Sequence, residues 1–216
     1  MEDLVSLGRV QSPHDLRCIH RAIAIGVTEN MRVSDAISSR RSIKKFTPRP
    51  VTREEMETLL AAAVTAPNHR LTQPWRFYVL GPETRHAYGL VLGGRKAKKI
   101  EDPEAARALR EAVAAEHRAL PAMLAVAVVG SEDPDTRDED YAATMMAIQT
   151  LSLTAVELGL GAHIKTGAVM ADPASRVAVG VKDNERIVAI VNIGEPAEIP
   201  PAKPRESAAA FTTWRP

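Results

Sequence analysis

Between Ser39 and Phe46 the chain reads Ser-Arg-Arg-Ser-Ile-Lys-Lys-Phe. The formal net charge of the whole chain is only +1, so this run is a local concentration of positive charge. A guanidinium grips a phosphate through two parallel, charge-assisted hydrogen bonds, and a neighbouring serine adds a neutral donor. Arg40, Arg41 and Ser42 together suit one phosphate group. They would equally suit a solvated helix end, where cations are favoured, and the cluster taken alone leaves both readings open. A second concentration of polar groups lies in Ala-Pro-Asn-His-Arg-Leu-Thr-Gln-Pro-Trp, residues 66–75. Pro67 and Pro74 bracket a compact loop in which Asn68, His69, Thr72 and Gln73 supply donors and acceptors, and Trp75 adds a large flat surface. Loops held between rigid elements often carry sites. The alternative is a tight connection whose side chains cap backbone groups.

These segments need a scaffold. A chain of 216 residues is expected to form one domain with extensions, large enough to bury a core without staples. Aromatic residues are 4% of the chain, so the core must be mostly Ala, Val, Leu and Ile. The segment 31–216 reads as the domain with an extended C-terminal arm, and residues 1–30 as an N-terminal extension. A short helix is expected over Val33–Ser39. The clearest helix starts at Thr52, whose spacing to Glu55 makes a capping box. It places Met56, Leu59, Leu60, Ala63 and Val64 on one face and ends by Pro67. Strands are expected at 76–81, at 123–130, within 161–167 as a short strand into a turn, and at 186–196, the second and last nearly continuous in apolar residues, as buried strands are. Helices are expected at 83–92, with a polar break at 93–99, and at 103–118. A long apolar helix should follow, opening at Asp138 or Asp140 and stopping at Gly159. A further short helix opens at Asp172-Pro173. A helix as apolar as the long one belongs in a core or a subunit interface. This irregular alternation indicates an α+β sheet domain rather than a doubly wound one.

Several functions are excluded or made remote. No G-x-G-x-x-G or P-loop pattern follows a strand. The one cysteine, Cys18, permits no intrachain disulfide and no multi-cysteine metal site, so no metal is expected, and it fits a reducing compartment. No apolar run is long enough to cross a bilayer, and the first residues lack the apolar stretch of a signal peptide. The expected location is the cytoplasm, with no membrane partner. The near-neutral charge argues against a nucleic-acid partner.

The run "SRRSIKKFTPRPVTREEMETLLAAAVTAPNHRLTQPWRFYVL", with "GLGAHIKTGAVM" and "IVAIVNIGEP" further on, resembles the nitroreductase family of flavoproteins, in particular its short single-domain NAD(P)H nitroreductases. The resemblance spans Arg32 to Pro196. It implies a nitroreductase-like fold, with a central, mostly antiparallel sheet flanked by helices, in an intertwined homodimer. It implies FMN at the subunit interface, with NADH or NADPH as co-substrate. Hydride then passes through flavin N5 to a small electron-poor acceptor such as a nitroaromatic or a quinone. No side chain is needed as the catalytic group, because the cofactor carries the chemistry and the protein supplies binding and charge.

Carried over position by position, Arg40, Arg41 and Ser42 would hold the FMN phosphate and ribityl chain, and Lys44 would stand near the ring. His69 and Gln73 would lie beside the isoalloxazine. Ile164, Lys165 and Thr166 would form a second flavin-contacting segment. Lys203 and Arg205 of the tail would reach the phosphate. Leu71 departs from the pattern, since many members carry there an Asn that hydrogen-bonds the ring; His69 is the candidate substitute. Related families use the same scaffold to fragment flavin or remove halogen. A non-catalytic FMN-binding protein is the third alternative.

Overall fold

The computed structural model describes residues 31–216; Cys18 and the extension reading of residues 1–30 lie outside the described residues. Four strands form one antiparallel sheet: β1 (Trp75–Val79), β2 (Ala122–Val129), β3 (Gly161–Lys165) and β4 (Glu185–Gly194), in the order β1-β2-β4-β3. The two most apolar strands, β2 and β4, take the centre, with Leu124 opposite Val191 and Ala125 opposite Ile190. Both their faces are covered, so neither shows the alternation of a half-exposed strand.

Seven-residue α1 (Val33–Ser39) is followed by α2 (Arg53–Ala63), α3 (Pro82–Ala97), α4 (Pro103–Arg118), α5 (Pro134–Glu157) and α6 (Pro173–Val179). One side of the sheet packs Leu124, Val126 and Val191 against Met56 and Leu59 of α2 and Ile148 and Leu151 of α5. The other packs Met123, Ala125 and Ile190 with Tyr88 of α3 and Val179 of α6, and α4 lies along α3. The result is an α+β fold with helices on both sides of an antiparallel sheet.

The Thr52–Glu55 capping box is formed, Glu55 N donating to Thr52 Oγ1 at 3.2 Å and Thr52 N to Glu55 Oε2 at 2.8 Å. The helix stops at Ala63, earlier than Pro67, so Val64 is its cap and is exposed rather than part of the buried face. The expected break at 93–99 is absent over 93–97, because α3 continues through Gly93 and Gly94 to Ala97. The physical reason is on α4. A Cβ on Gly89 would sit 2.6 Å from Ala114 Cα, and one on Gly93 would sit 2.7 Å from the Arg110 carbonyl oxygen. These glycines let two helices touch backbone to backbone. Helix α5 opens one turn before the expected carboxylates, at Pro134, with Asp133 accepting from the amides of Asp135 and Thr136. Asp138 and Asp140 are interior to it. Its stop is as expected, with Gly159 in the left-handed conformation at φ 70°.

Candidate functional site

Past α1, residues 40–46 run extended alongside β3. Ser42 forms a parallel bridge with Ala162, and Ile43 N donates to Ala162 O at 3.1 Å. In an extended chain successive side chains point opposite ways, so Ile43 is buried while Ser42 and Lys44 face outward. Gly161 makes this close approach possible, since a Cβ there would lie 2.3 Å from Ile43 Cγ1. The chain leaving β4 clamps the other flank, with Thr47 N donating to Glu195 O at 2.9 Å and Ala197 N to Lys45 O at 3.0 Å.

The segment opens onto a cleft of about 540 Å³ lined by Arg40, Arg41, Ser42, Lys44, Lys203 and Arg205, with Glu198 on its wall. Glu198 is neutralised by Lys45 at 2.6 Å. The hydrogen bond and the charge hold the lysine above, and the carboxyl below, their ordinary values. Among the described residues, the other five cations make no ion pair with a carboxylate. Arg41 is the most constrained of them. Its Nη1 donates to Ser38 O at 2.7 Å and to Arg40 O at 3.0 Å, while its buried Nε has no partner among the described residues. A fixed guanidinium with an unsatisfied N–H, flanked by a serine hydroxyl and further cations, is a donor set for an anion with several acceptor oxygens. The residues present therefore fit the phosphate of FMN.

The 68–73 loop is built on the first half of α5. His69 Nδ1 lies 3.0 Å from Glu139 Oε1, and Arg70 Nε donates to Glu139 Oε2 at 2.9 Å. Arg70 first, and His69 with it, hold the Glu139 carboxyl below its ordinary range. The Thr72 hydroxyl donates to buried Asp140, and Gln73 N donates to Asn68 Oδ1 at 2.7 Å. Leu71 and Gln73 both adopt left-handed backbone, at φ 51° and 46°, a conformation that persists in non-glycine residues only where the surroundings impose it. Leu71 is left 77% exposed.

The structure thus gathers Arg40, Arg41, Ser42, Lys44 and Arg205 around one cleft. His69 and Gln73 lie outside it in the single chain. Of the three residues 164–166, Ile164 is half-buried and packs against the core on the α5 side, Lys165 places its amine 3.5 Å from His117 Nε2, and Thr166, just past β3, is exposed. Burial pushes the Lys165 amine and the imidazoles of His117 and His163 below their ordinary values. The charges of Lys165 and Lys44 lower His163 further. Sequence reasoning missed Glu139 and Asp140 as anchors of the loop and His117 as the partner of Lys165. The acidic run Asp138-Glu139-Asp140 was a visible signal for the first two; nothing local marked His117.

The sequence model described as the nitroreductase family matches residues 37–195, and the chain belongs to that family. YfhC of Bacillus subtilis (strain 168), provisionally named an NAD(P)H nitroreductase, is 38% identical over 171 residues, 79% of this chain and 88% of that one. A nitroreductase-like family protein from Bacillus cereus superposes with a TM-score of 0.75 at 29% identity, over 88% of this chain and 99% of that one. The FMN- and NADPH-dependent nitroreductase NfnB from Sphigopyxis sp. strain HMH shares the fold, with a TM-score of 0.70 at 22% identity over 86% of this chain and 100% of that one.

Proposed function

We propose that the protein is an FMN-dependent oxidoreductase that takes hydride from NADH or NADPH and delivers reducing equivalents to an electron-poor acceptor, a nitroaromatic or a quinone. The observation that carries this is the cleft of Arg40, Arg41, Ser42, Lys44 and Arg205, with its pinned guanidinium and unsatisfied Nε. The names of the relatives support the same reading. When bound, FMN supplies the two-electron chemistry. The chain's own part is to hold the phosphate through Arg41, Ser42 and the tail cations, and to set positive charge near the ring through Lys44.

The working unit in this reading is a homodimer. Residues 201–216 are exposed throughout, with Phe211 at 79% and Trp214 at 91%, which a chain folded alone has little reason to leave in water. Because His69 and Gln73 lie outside the cleft of their own chain, a flavin touching both sets would sit between two copies. No helix among the described residues is long and apolar enough to cross a membrane, and the cytoplasm, with its NAD(P)H, is the location this reading assigns.

Steady-state oxidation of NADH or NADPH by the FMN-loaded protein tests the reaction. Turnover should depend on added nitroaromatic or quinone. Bound FMN with no turnover on either acceptor would leave a binding protein instead. Lys44→Met should make the potential of the bound FMN more negative, by about 30 mV, because it removes a positive charge beside a group that gains electrons. For a two-electron couple that is a tenfold change in the equilibrium. Spectroelectrochemical titration reads it directly, and an unchanged potential would remove Lys44 from the ring.

A further inference from the structure

Strand β3 sends alternate side chains to opposite faces of the sheet. Ile164 packs against the core on the α5 side, so His163 and Lys165 turn toward the α3 and α4 layer. There the Lys165 amine meets His117 of α4, Nζ to Nε2 at 3.5 Å. His117 is 2% exposed. Its Nδ1 lies 2.7 Å from the Val113 carbonyl oxygen, and a carbonyl can only accept. Nδ1 therefore carries the ring proton and Nε2 presents its lone pair. The ring of Tyr88, with its centroid 5.9 Å away and tilted by 52°, fixes the imidazole from the α3 side. The backbone of α4 thus sets the tautomer that a lysine donor requires. Among the described residues Lys165 makes no ion pair. Glu116 of α4 and Lys96 of α3 are the further charges acting on its amine, and Lys44 joins Lys165 in acting on His163.

We propose that His117 is a positioning residue whose Nε2 lone pair holds the Lys165 ammonium at the C-terminal end of β3, beside Thr166, as a fixed positive charge of the flavin site. The role toward flavin rests on the reading of residues 164–166 as a flavin-facing segment. The choice of partner has a physical consequence. A carboxylate would hold the amine but cancel its charge, whereas a neutral imidazole holds it and leaves the charge available. Lys165 would then act on the flavin in concert with Lys44.

The test uses four variants: His117→Phe, which keeps a ring against Tyr88 without an acceptor; His117→Gln, which offers an amide oxygen; Lys165→Met; and the double variant H117F/K165M. The first readout needs no flavin. In the FMN-free protein, NMR titration should show the Lys165 pKa falling in H117F, because a hydrogen bond to the charged form is lost, and partly recovering in H117Q. In K165M the His117 pKa should rise, because a repelling cation has gone. The second readout is the potential of the FMN-loaded protein. H117F and K165M should each make it more negative by about 30 mV, a tenfold change in the two-electron equilibrium, H117Q should restore most of it, and H117F should add nothing in the K165M background. A core role alone predicts a lowered melting temperature in both backgrounds with no such coupling.

An H117F shift of equal size with and without Lys165 overturns the proposal, as does a Lys165 titration indifferent to H117F. If H117F does not fold, an unchanged His117 titration in K165M overturns it equally. A parent protein that takes up no FMN overturns the flavoprotein reading and the flavin-side role of Lys165 with it. Uncoupled shifts with FMN bound overturn the role of His117 alone.

Discussion

FMN affinity is expected to fall ten- to a hundredfold when Arg41 is replaced by alanine. The guanidinium is held by two carbonyls, Ser38 O at 2.7 Å and Arg40 O at 3.0 Å, so no rotamer freedom is spent when it meets an anion, and its Nε is left to donate. A hydrogen bond to a charged group contributes about 1.5–3 kcal/mol, which is about one to two factors of ten in affinity. Arg41→Lys should rescue little, because a point charge cannot keep both carbonyl contacts and grip a phosphate as well. The potential of the Arg41→Ala protein, once resaturated with FMN, should match the parent. That separates the phosphate end of the site from Lys44, whose replacement moves the potential instead. Fluorescence titration measures the affinity, and parental affinity in Arg41→Ala would reduce the basic run to a solvated helix end.

The second large effect is on stability, and it discriminates between adjacent residues. Gly93→Ala should destabilise the fold by about 1–3 kcal/mol, the usual cost of overpacking, because its new methyl would lie 2.7 Å from the Arg110 carbonyl oxygen and 2.8 Å from Arg110 Cα. Backbone atoms cannot move aside as a side-chain tip can. Gly94→Ala, one residue on, meets nothing within 4 Å. It should stabilise by about 0.5–1 kcal/mol, the helix preference for alanine over glycine. Urea denaturation of both variants gives the sign and the size. Equal behaviour would mean that α3 and α4 do not approach as closely as described.

That pair of glycines also shows where the sequence stops being legible. Composition says that Gly-Gly weakens a helix; it does not say that the Arg110 backbone of α4 lies against Gly93 while Gly94 faces open space, which makes one of the two a contact and leaves the other free. The Thr52–Glu55 box was readable because both partners lie within one turn, and β2 and β4 because burial on both faces leaves an unbroken apolar run. The start of α5 was missed although Asp133-Pro134 carries the same cap-and-proline signature as Asp172-Pro173, because the carboxylates at 138–140 drew the boundary inward. In the site, Arg40 to Lys44 are neighbours in the chain, so their chemistry could be read directly. The tail cations came from the family resemblance, and the cleft that joins Arg205 to Arg41 exists only once the chain leaving β4 folds back along residues 45–47. His117 and Lys165 are 48 residues apart, and no local pattern links them.

The central claim is that this cationic cleft is an FMN site from which NAD(P)H-driven reduction proceeds. The most direct test is the visible absorbance of the flavin-loaded protein, followed anaerobically as NADH or NADPH is added and then as a nitroaromatic or quinone is introduced. One FMN per chain is expected, with bleaching of its absorbance by at least one of the two nucleotides and recovery of the colour on addition of the acceptor. A protein that stays colourless with FMN at micromolar concentration, or whose bound FMN keeps its colour with both nucleotides, would contradict it.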